Sequence, residues 1–221
     1  MPSEILDKLY SEHAAYTEEE IAEKEKSLGV KLPALLREFY LKYAKLEINT
    51  YIDYICELND VNFTYNWLDA EKEDWEEEME EPIEEIKKKT QNYLVFWSEN
   101  QGVWSAAILD EDMVQDNPPV YMNSDESIFE WYVASNNFNS FLLSMIWDNS
   151  YYCKGFGLSH SEDENEILKT IKENNIDVSQ LTPTYNKHTA TCWDEEQKKI
   201  YMFINKNGEG VFSEMRTMQV I

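Results

Sequence analysis

YLVFWSENQGVWSAAIL, residues 93–109, is the stretch on which the reading of this fold turns. Tyr93–Trp97 is apolar at every position, and Val103–Leu109 is a second apolar run that includes the small residues Ser105, Ala106 and Ala107. Short apolar runs bounded by turn residues predict strands buried on both faces. The pair therefore predicts a central hairpin, with Leu94, Val95, Phe96 and Trp104 buried in it. The small residues of the second run let a helix approach the sheet closely. The connection Ser98–Gly102 holds no pairing of nucleophile and base, and its glycine is expected to supply a positive backbone angle.

On the N-terminal side, Ile5, Leu6, Leu9 and Tyr10 recur at helical spacing and predict a short first helix. Thr17-Glu18-Glu19-Glu20 has the form of a capping box, in which the threonine oxygen takes a free helix N–H and Glu20 reaches back. That helix should run to about Leu28, where Gly29 supplies the stop. Leu32-Pro33 opens the next helix, whose apolar face is Leu36, Phe39, Tyr40 and Tyr43. Tyr51–Cys56 and Val61–Tyr65 are expected as strands joined at Asn59-Asp60. Residues 71–85 then carry ten carboxylates and one lysine. Even so, Leu68, Trp75, Met79, Ile83 and Ile86 keep near-helical spacing, so this acidic segment docks through an apolar stripe. Pro82 should divide it into two helices. The simplest account of its charge is a solvated helix face on a packed core.

On the C-terminal side, Val120–Met122 and Ile128–Val133 are expected as strands. Ser135 or Asn137 can cap a helix through Phe138, Phe141, Leu142, Met145 and Ile146. A glycine-containing link, Lys154–Gly157, leads to a helix over Glu164–Asn174. Thr189–Trp193 and Ile200–Ile204 are expected as strands, and Asn207-Gly208 as a turn into Val211–Met215.

The chain has 221 residues and a net charge of −25, with 43% hydrophobic and 14% aromatic residues. That apolar content excludes a disordered acidic chain. Residues 1–150 hold 33 acids against 11 bases, while 151–221 hold 11 against 8, so the excess lies in the first two-thirds. From Thr90 to Cys153 there is no Lys or Arg. Such a field repels nucleic acid and anionic lipid and attracts basic proteins or cations, although solubility alone can also explain it. No stretch approaches a membrane span, and the first thirteen residues have no apolar signal core, so a cytoplasmic protein is expected. Cys56, Cys153 and Cys192 are odd in number and far apart, which favours reduced thiols. His13, His160 and His188 lack metal-ligand spacing, and no metal is expected. Phosphate-binding loops, nucleophile elbows and zinc-protease helices are all missing from the sequence, so neither a catalytic residue nor a cofactor is expected.

Two blocks carry a family resemblance. Ile21-x-x-x-Glu25-x-x-Leu28-Gly29-x-x-Leu32-Pro33-x-x-Leu36-x-x-Phe39 resembles the N-terminal signature of the SUKH superfamily, which includes bacterial immunity proteins and yeast cell-wall-assembly regulators. The hairpin at 93–109, with Pro119-Val120 and Trp131 after it, is similar to that family's central hairpin and following strand. Phe138-Asn139-Ser140-Phe141-Leu142 fits its closing helix. The resemblance covers about residues 15–147. It departs at Ala44-Lys45-Leu46-Glu47, where many members have an Asn-Gly-Gly-like turn, and nothing in the pattern matches the acidic segment 69–89 or residues after 150.

The resemblance implies an α+β fold, a mostly antiparallel central sheet with helices packed on one face. Residues 1–150 would form the SUKH-like immunity domain, and 151–221 a helix-plus-hairpin α/β extension packed on the same domain. It implies a non-enzymatic protein that binds and neutralises a cognate polymorphic toxin, such as a nuclease. The alternative is a regulatory scaffold like the yeast members. Joined to the charge pattern, it makes a basic toxin domain the expected partner, with neither nucleic acid nor membrane bound. The residues expected to meet it are Glu76, Glu77, Glu80, Asp110, Glu111, Asp112 and Asp116, with Trp75 or Tyr121 as aromatic anchors.

Overall fold

The computed structural model describes residues 15–43, 53–99, 103–123, 129–150, 156–177, 182–183, 189–205 and 212–220. It divides into two compact units, one of His13–Val133 and one containing Ala134–Ile221. The fold is α+β, as the sequence predicts. Among the described residues no helix is long and apolar enough to cross a membrane.

In the first unit, Thr17 opens α1 (Glu18–Leu28). The Glu20 N–H donates to Thr17 Oγ1 at 3.2 Å, and the Thr17 N–H donates to Glu20 Oε2 at 2.7 Å, which completes the capping box. Gly29 ends the helix at φ 75°. No atom lies within 4 Å of where a Cβ on Gly29 would sit. Gly29→Ala therefore meets only the backbone penalty of the left-handed region, and should cost about 1–2 kcal/mol in chemical denaturation. Unchanged stability would show that the helix can end otherwise.

The next turn is held by a buried carboxylate. Glu25 accepts the Leu32 N–H at 3.1 Å and the Lys31 ammonium at 2.7 Å, and Arg37 Nε lies 3.4 Å away. This fixes the entry to α2 (Ala34–Lys42), which buries Leu36, Phe39 and Tyr40. The 21–39 signature is thus one packing unit: Ile21 and Leu36 fill the core, and Glu25 ties the loop between the helices. Leu32 is buried as expected, whereas Leu28 is only half-buried.

The first sheet contains β1 (Asp53–Ile55), β2 (Asn62–Phe63), β3 (Tyr93–Glu99), β4 (Ser105–Leu109), β5 (Val120–Asn123) and β6 (Trp131–Ser135). Its order is β1-β3-β4-β5-β6, with β2 also paired to β3. The pairs β1–β3, β2–β3, β3–β4 and β4–β5 are antiparallel. Leu94, Val95 and Phe96 are fully buried in β3, the central strand. Trp104 departs from expectation: it is half-buried and lies one residue ahead of β4. Its carbonyl accepts the Glu99 N–H at 3.0 Å, closing the hairpin before the ladder begins. A register shift between Val95 and Trp97 places Phe96 in a bulge. Gly102 lies outside the described residues.

The predicted strand Val61–Tyr65 is shorter than expected, because the chain turns into a helix at Thr64. The Thr64 hydroxyl accepts the Tyr93 N–H at 3.0 Å, and Asn92 Oδ1 accepts the Tyr65 N–H at 3.2 Å. Those contacts satisfy donors that would otherwise seek a strand partner. Three helices follow, α3 (Thr64–Ala70), α4 (Lys72–Met79) and α5 (Ile83–Lys87), where the sequence predicts two. Pro82 stands just ahead of α5, as its missing N–H dictates. Leu68, Ile83 and Ile86 are buried together, and Trp75 and Met79 are packed against them. The apolar stripe is real.

The second unit holds α6 (Phe138–Ser150), β7 (Phe156–Ser161), α7 (Glu164–Glu173), β8 (Thr182–Pro183), β9 (Thr189–Asp194), β10 (Lys199–Ile204) and β11 (Glu214–Val220). The strands form a five-stranded sheet in the order β7-β11-β10-β9-β8, with every pair antiparallel. Asn137 Oδ1 accepts the Ser140 N–H at 2.8 Å and so caps α6. That helix packs against β9 and β10. Ile167 of α7 is buried with Tyr201, Phe203 and Met215. The sequence reading places the last strand at Val211–Met215, but the ladder runs from Glu214 to Val220. It runs on because β11 is a central strand bonded on both edges, by β10 and by β7. The glycine pair around Phe156 reads as a link and conceals β7. The predicted helix near Ile5, the turn at Asn207-Gly208, Cys153, His13 and His188 lie outside the described residues.

Candidate interaction surface

The sequence-predicted contact residues fall into two groups in the first unit. One group sits on the turn after β4. Asp110, Glu111 and Asp112 form a single 3-10 turn, pinned by the Asp110 N–H donating to the Asn92 carbonyl at 2.9 Å. Met113 is buried beneath it, and the Asp116 carbonyl accepts the Leu35 N–H of α2 at 3.1 Å. Asp110, Glu111 and Asp116 are exposed. Asp112 is not: its carboxylate accepts the Tyr121 hydroxyl at 3.1 Å and the Gln115 amide at 2.7 Å. It is occupied within the chain, and so is Tyr121, one of the two expected anchors. The Tyr121 ring lies 5.4 Å from Tyr93, which stacks on Trp131 at 4.4 Å. These rings cover Val95, Ala107 and Leu109. Only part of Tyr121 reaches solvent.

Desolvation first, and then the Asp112 carboxylate, push the Tyr121 phenol up to about 12. A raised folded value means that the stabilising effect of the neutral phenol is complete below the ordinary 10.0 and is lost as pH rises through about 12. A tyrosinate absorbance titration of wild type minus Tyr121→Phe should therefore show a component with its midpoint near 12. A midpoint near the ordinary 10.0 would contradict the burial of the phenol together with its Asp112 contact.

The second group is on the acidic helices. Glu77 and Glu80 are exposed, and Glu80 ends α4 in the left-handed region at φ 53°. Glu76 has a structural duty: its Oε1 accepts the Ile83 N–H at 2.7 Å and supplies the cap that α5 needs. Trp75 is half-buried against the Leu68–Ile83–Ile86 cluster, so it offers solvent only part of its indole. Asn92 links the loop after β4 to the start of α3. Its side chain receives the Tyr65 N–H at the start of α3, and its Nδ2 donates to Asp110 Oδ2 at 3.4 Å.

The sequence reading missed Trp67, which is 36% exposed. With Thr64, Leu68, Glu71 and Trp75 it lines an open cavity of about 210 Å³. The spacing Trp67–Glu71–Trp75, four residues apart each time, carries the signal. It was hidden because the stripe was counted from Leu68, with Val61–Tyr65 taken as strand.

Burial pushes the Cys56 and Cys192 thiols up to about 11, leaving both protonated and weakly nucleophilic at neutral pH. In the second unit, His160, Glu162 and Glu214 bring ligand-type atoms within 4.8 Å of one another. Spacing along the chain does not show this group, since Glu214 comes from the neighbouring strand. His160 Nε2 stands 3.1 Å from Glu214 Oε1, and Arg216 Nε donates to the same oxygen at 2.6 Å. The buried carboxylate is thus held between an imidazole and a guanidinium.

No curated protein and no solved structure matches the chain. A family model does: the SMI1 / KNR4 family (SUKH-1) matches residues 15–144. The match takes in the Glu25-braced helix pair, the acidic helices, the first sheet and most of α6. Covering more than half of the sequence, it shows that the chain belongs to the SMI1 / KNR4 family (SUKH-1).

Proposed function

We propose that this chain is an immunity protein that binds a cognate bacterial toxin domain of basic charge and blocks it without chemistry of its own. It acts in the cytoplasm, before the toxin reaches its target. The observation that carries the reading is the charge of the first unit. Asp110, Glu111 and Asp116 stand exposed on the loop after β4, Glu77 and Glu80 stand exposed at the end of α4, and the stretch Thr90–Cys153 contains no lysine or arginine. A toxin that cleaves nucleic acid needs a basic groove for phosphates, and fixed carboxylates can fill such a groove. Family membership supports the same reading.

The test is to identify the neighbouring genes and co-express the protein with a toxin domain that one of them encodes. Growth should be restored, and the two chains should purify together. Rescue without a complex would point instead to enzymatic inactivation. A complex that leaves the cells unprotected would favour the regulatory scaffold.

A further inference from the structure

The acidic helices carry a feature that general negative charge does not explain. The Glu71 N–H donates to the Trp67 carbonyl at 3.0 Å, and the Trp75 N–H donates to the Glu71 carbonyl at 3.1 Å. Glu71 thus ends α3 and opens α4, at φ −110° and ψ 29°. On α4, at 3.6 residues per turn, Glu71, Asp74, Trp75 and Glu78 share one face, and Trp67 of α3 lines the same cavity as Glu71 and Trp75. The lysines lie elsewhere. Lys72 faces Glu76, Lys87 pairs with Asp69, Lys88 with Glu85 and Lys89 with Glu81. Among the described residues, no ion pair is made by Glu71, Asp74 or Glu78. The face thus has an indole floor, an open cavity of about 210 Å³ and three carboxylates without a cation. Since exposed tryptophan is costly to leave in water and enriched where partners bind, the floor calls for an apolar side chain. The rim calls for positive charge.

We infer that the Trp67–Trp75 groove docks a lysine- or arginine-rich segment of the partner, inserting one apolar side chain between the indoles while the flanking cations meet Glu71, Asp74 and Glu78. The inference rests on the reading of the chain as a binder of basic proteins, and it gives the acidic helices their role. The groove is a recognition element: its carboxylates select the charge of the segment, and its indoles select the presence of an anchor.

A synthetic amphipathic lysine–leucine peptide serves as the probe, and the same peptide with serine for leucine serves as its control. Indole N–H signals are followed by NMR during titration. The leucine peptide should move the Trp67 and Trp75 signals, and the serine peptide should bind at least about tenfold more weakly. Trp67→Ser should weaken the leucine peptide by a similar factor. Glu71→Lys with Asp74→Lys, which leaves the indoles in place, should remove most of the salt dependence. Equal binding of both peptides, shifts at other tryptophans only, or an unaffected Trp67→Ser variant would overturn the groove. The toxin domain separates the two claims. A Trp67→Ser protein that loses the peptide yet neutralises the toxin at the wild-type rate would overturn the groove as the docking site and leave the immunity reading intact. If the wild-type protein binds no toxin domain while the peptide results hold, the immunity reading alone fails.

Discussion

Leu94→Ala should destabilise the first unit by about 2–5 kcal/mol, the largest effect expected of any single truncation named here. Leu94 is 0% exposed and sits in β3, the strand to which β1, β2 and β4 all pair. Phe63 stands opposite it on one side and Ile108 on the other. With partners on both edges, the neighbours cannot close over the space that the missing methyl groups leave, and the cavity adds to the lost transfer energy. Val114→Ala is the matched control. Val114 is 90% exposed, so its truncation should fall within about 0.5 kcal/mol of wild type in urea denaturation. If Leu94→Ala behaved like the control, β3 would not be the centre of the sheet.

Reversing Asp110, Glu111 and Asp116 together to lysine should slow association with a basic partner by about tenfold or more, with a smaller change in dissociation. These three are the exposed carboxylates of the β4 turn. Asp112 is better left alone, because replacing it would also free the Tyr121 hydroxyl and the Gln115 amide. Any loss could then be blamed on the turn's own structure. The gap between variant and wild type should narrow as salt is raised, since screening weakens the steering field for both. Measured by surface-immobilised binding kinetics, an unchanged association rate would remove this turn from the encounter. If Glu77→Lys with Glu80→Lys were silent too, an apolar contact would become the better account of binding.

Most of the fold could be read from the sequence where local chemistry and tertiary need agree. The capping box at Thr17 and Glu20, the stop at Gly29 and the five-residue apolar run of β3 each have one cheap structural solution, and each takes it. The failures have a common cause in contacts made far along the chain. Thr64 and Tyr65 look like strand residues until Tyr93 and Asn92 supply their hydrogen bonds. Gly157, beside Phe156, looks like part of a linker until β11 pairs with it. The candidate contact residues divide in the same way. Charge can be counted in the sequence, and Asp110, Glu111, Asp116, Glu77 and Glu80 are exposed. What a carboxylate is already bonded to cannot be counted, so Glu76 and Asp112 were chosen although each serves its own chain. Trp67 goes unnoticed because the apolar stripe is counted from Leu68.

The central claim is inhibition by binding, and a stoichiometric titration tests it most directly. A fixed amount of purified toxin domain is mixed with increasing amounts of this protein, and residual toxin activity is read after equilibration. Binding alone predicts a linear fall that reaches background at one equivalent, with the toxin recovered intact when the complex is separated in denaturant. Complete inactivation at a small fraction of an equivalent, or a toxin recovered chemically altered, would contradict the account and make the protein an enzyme acting on its partner.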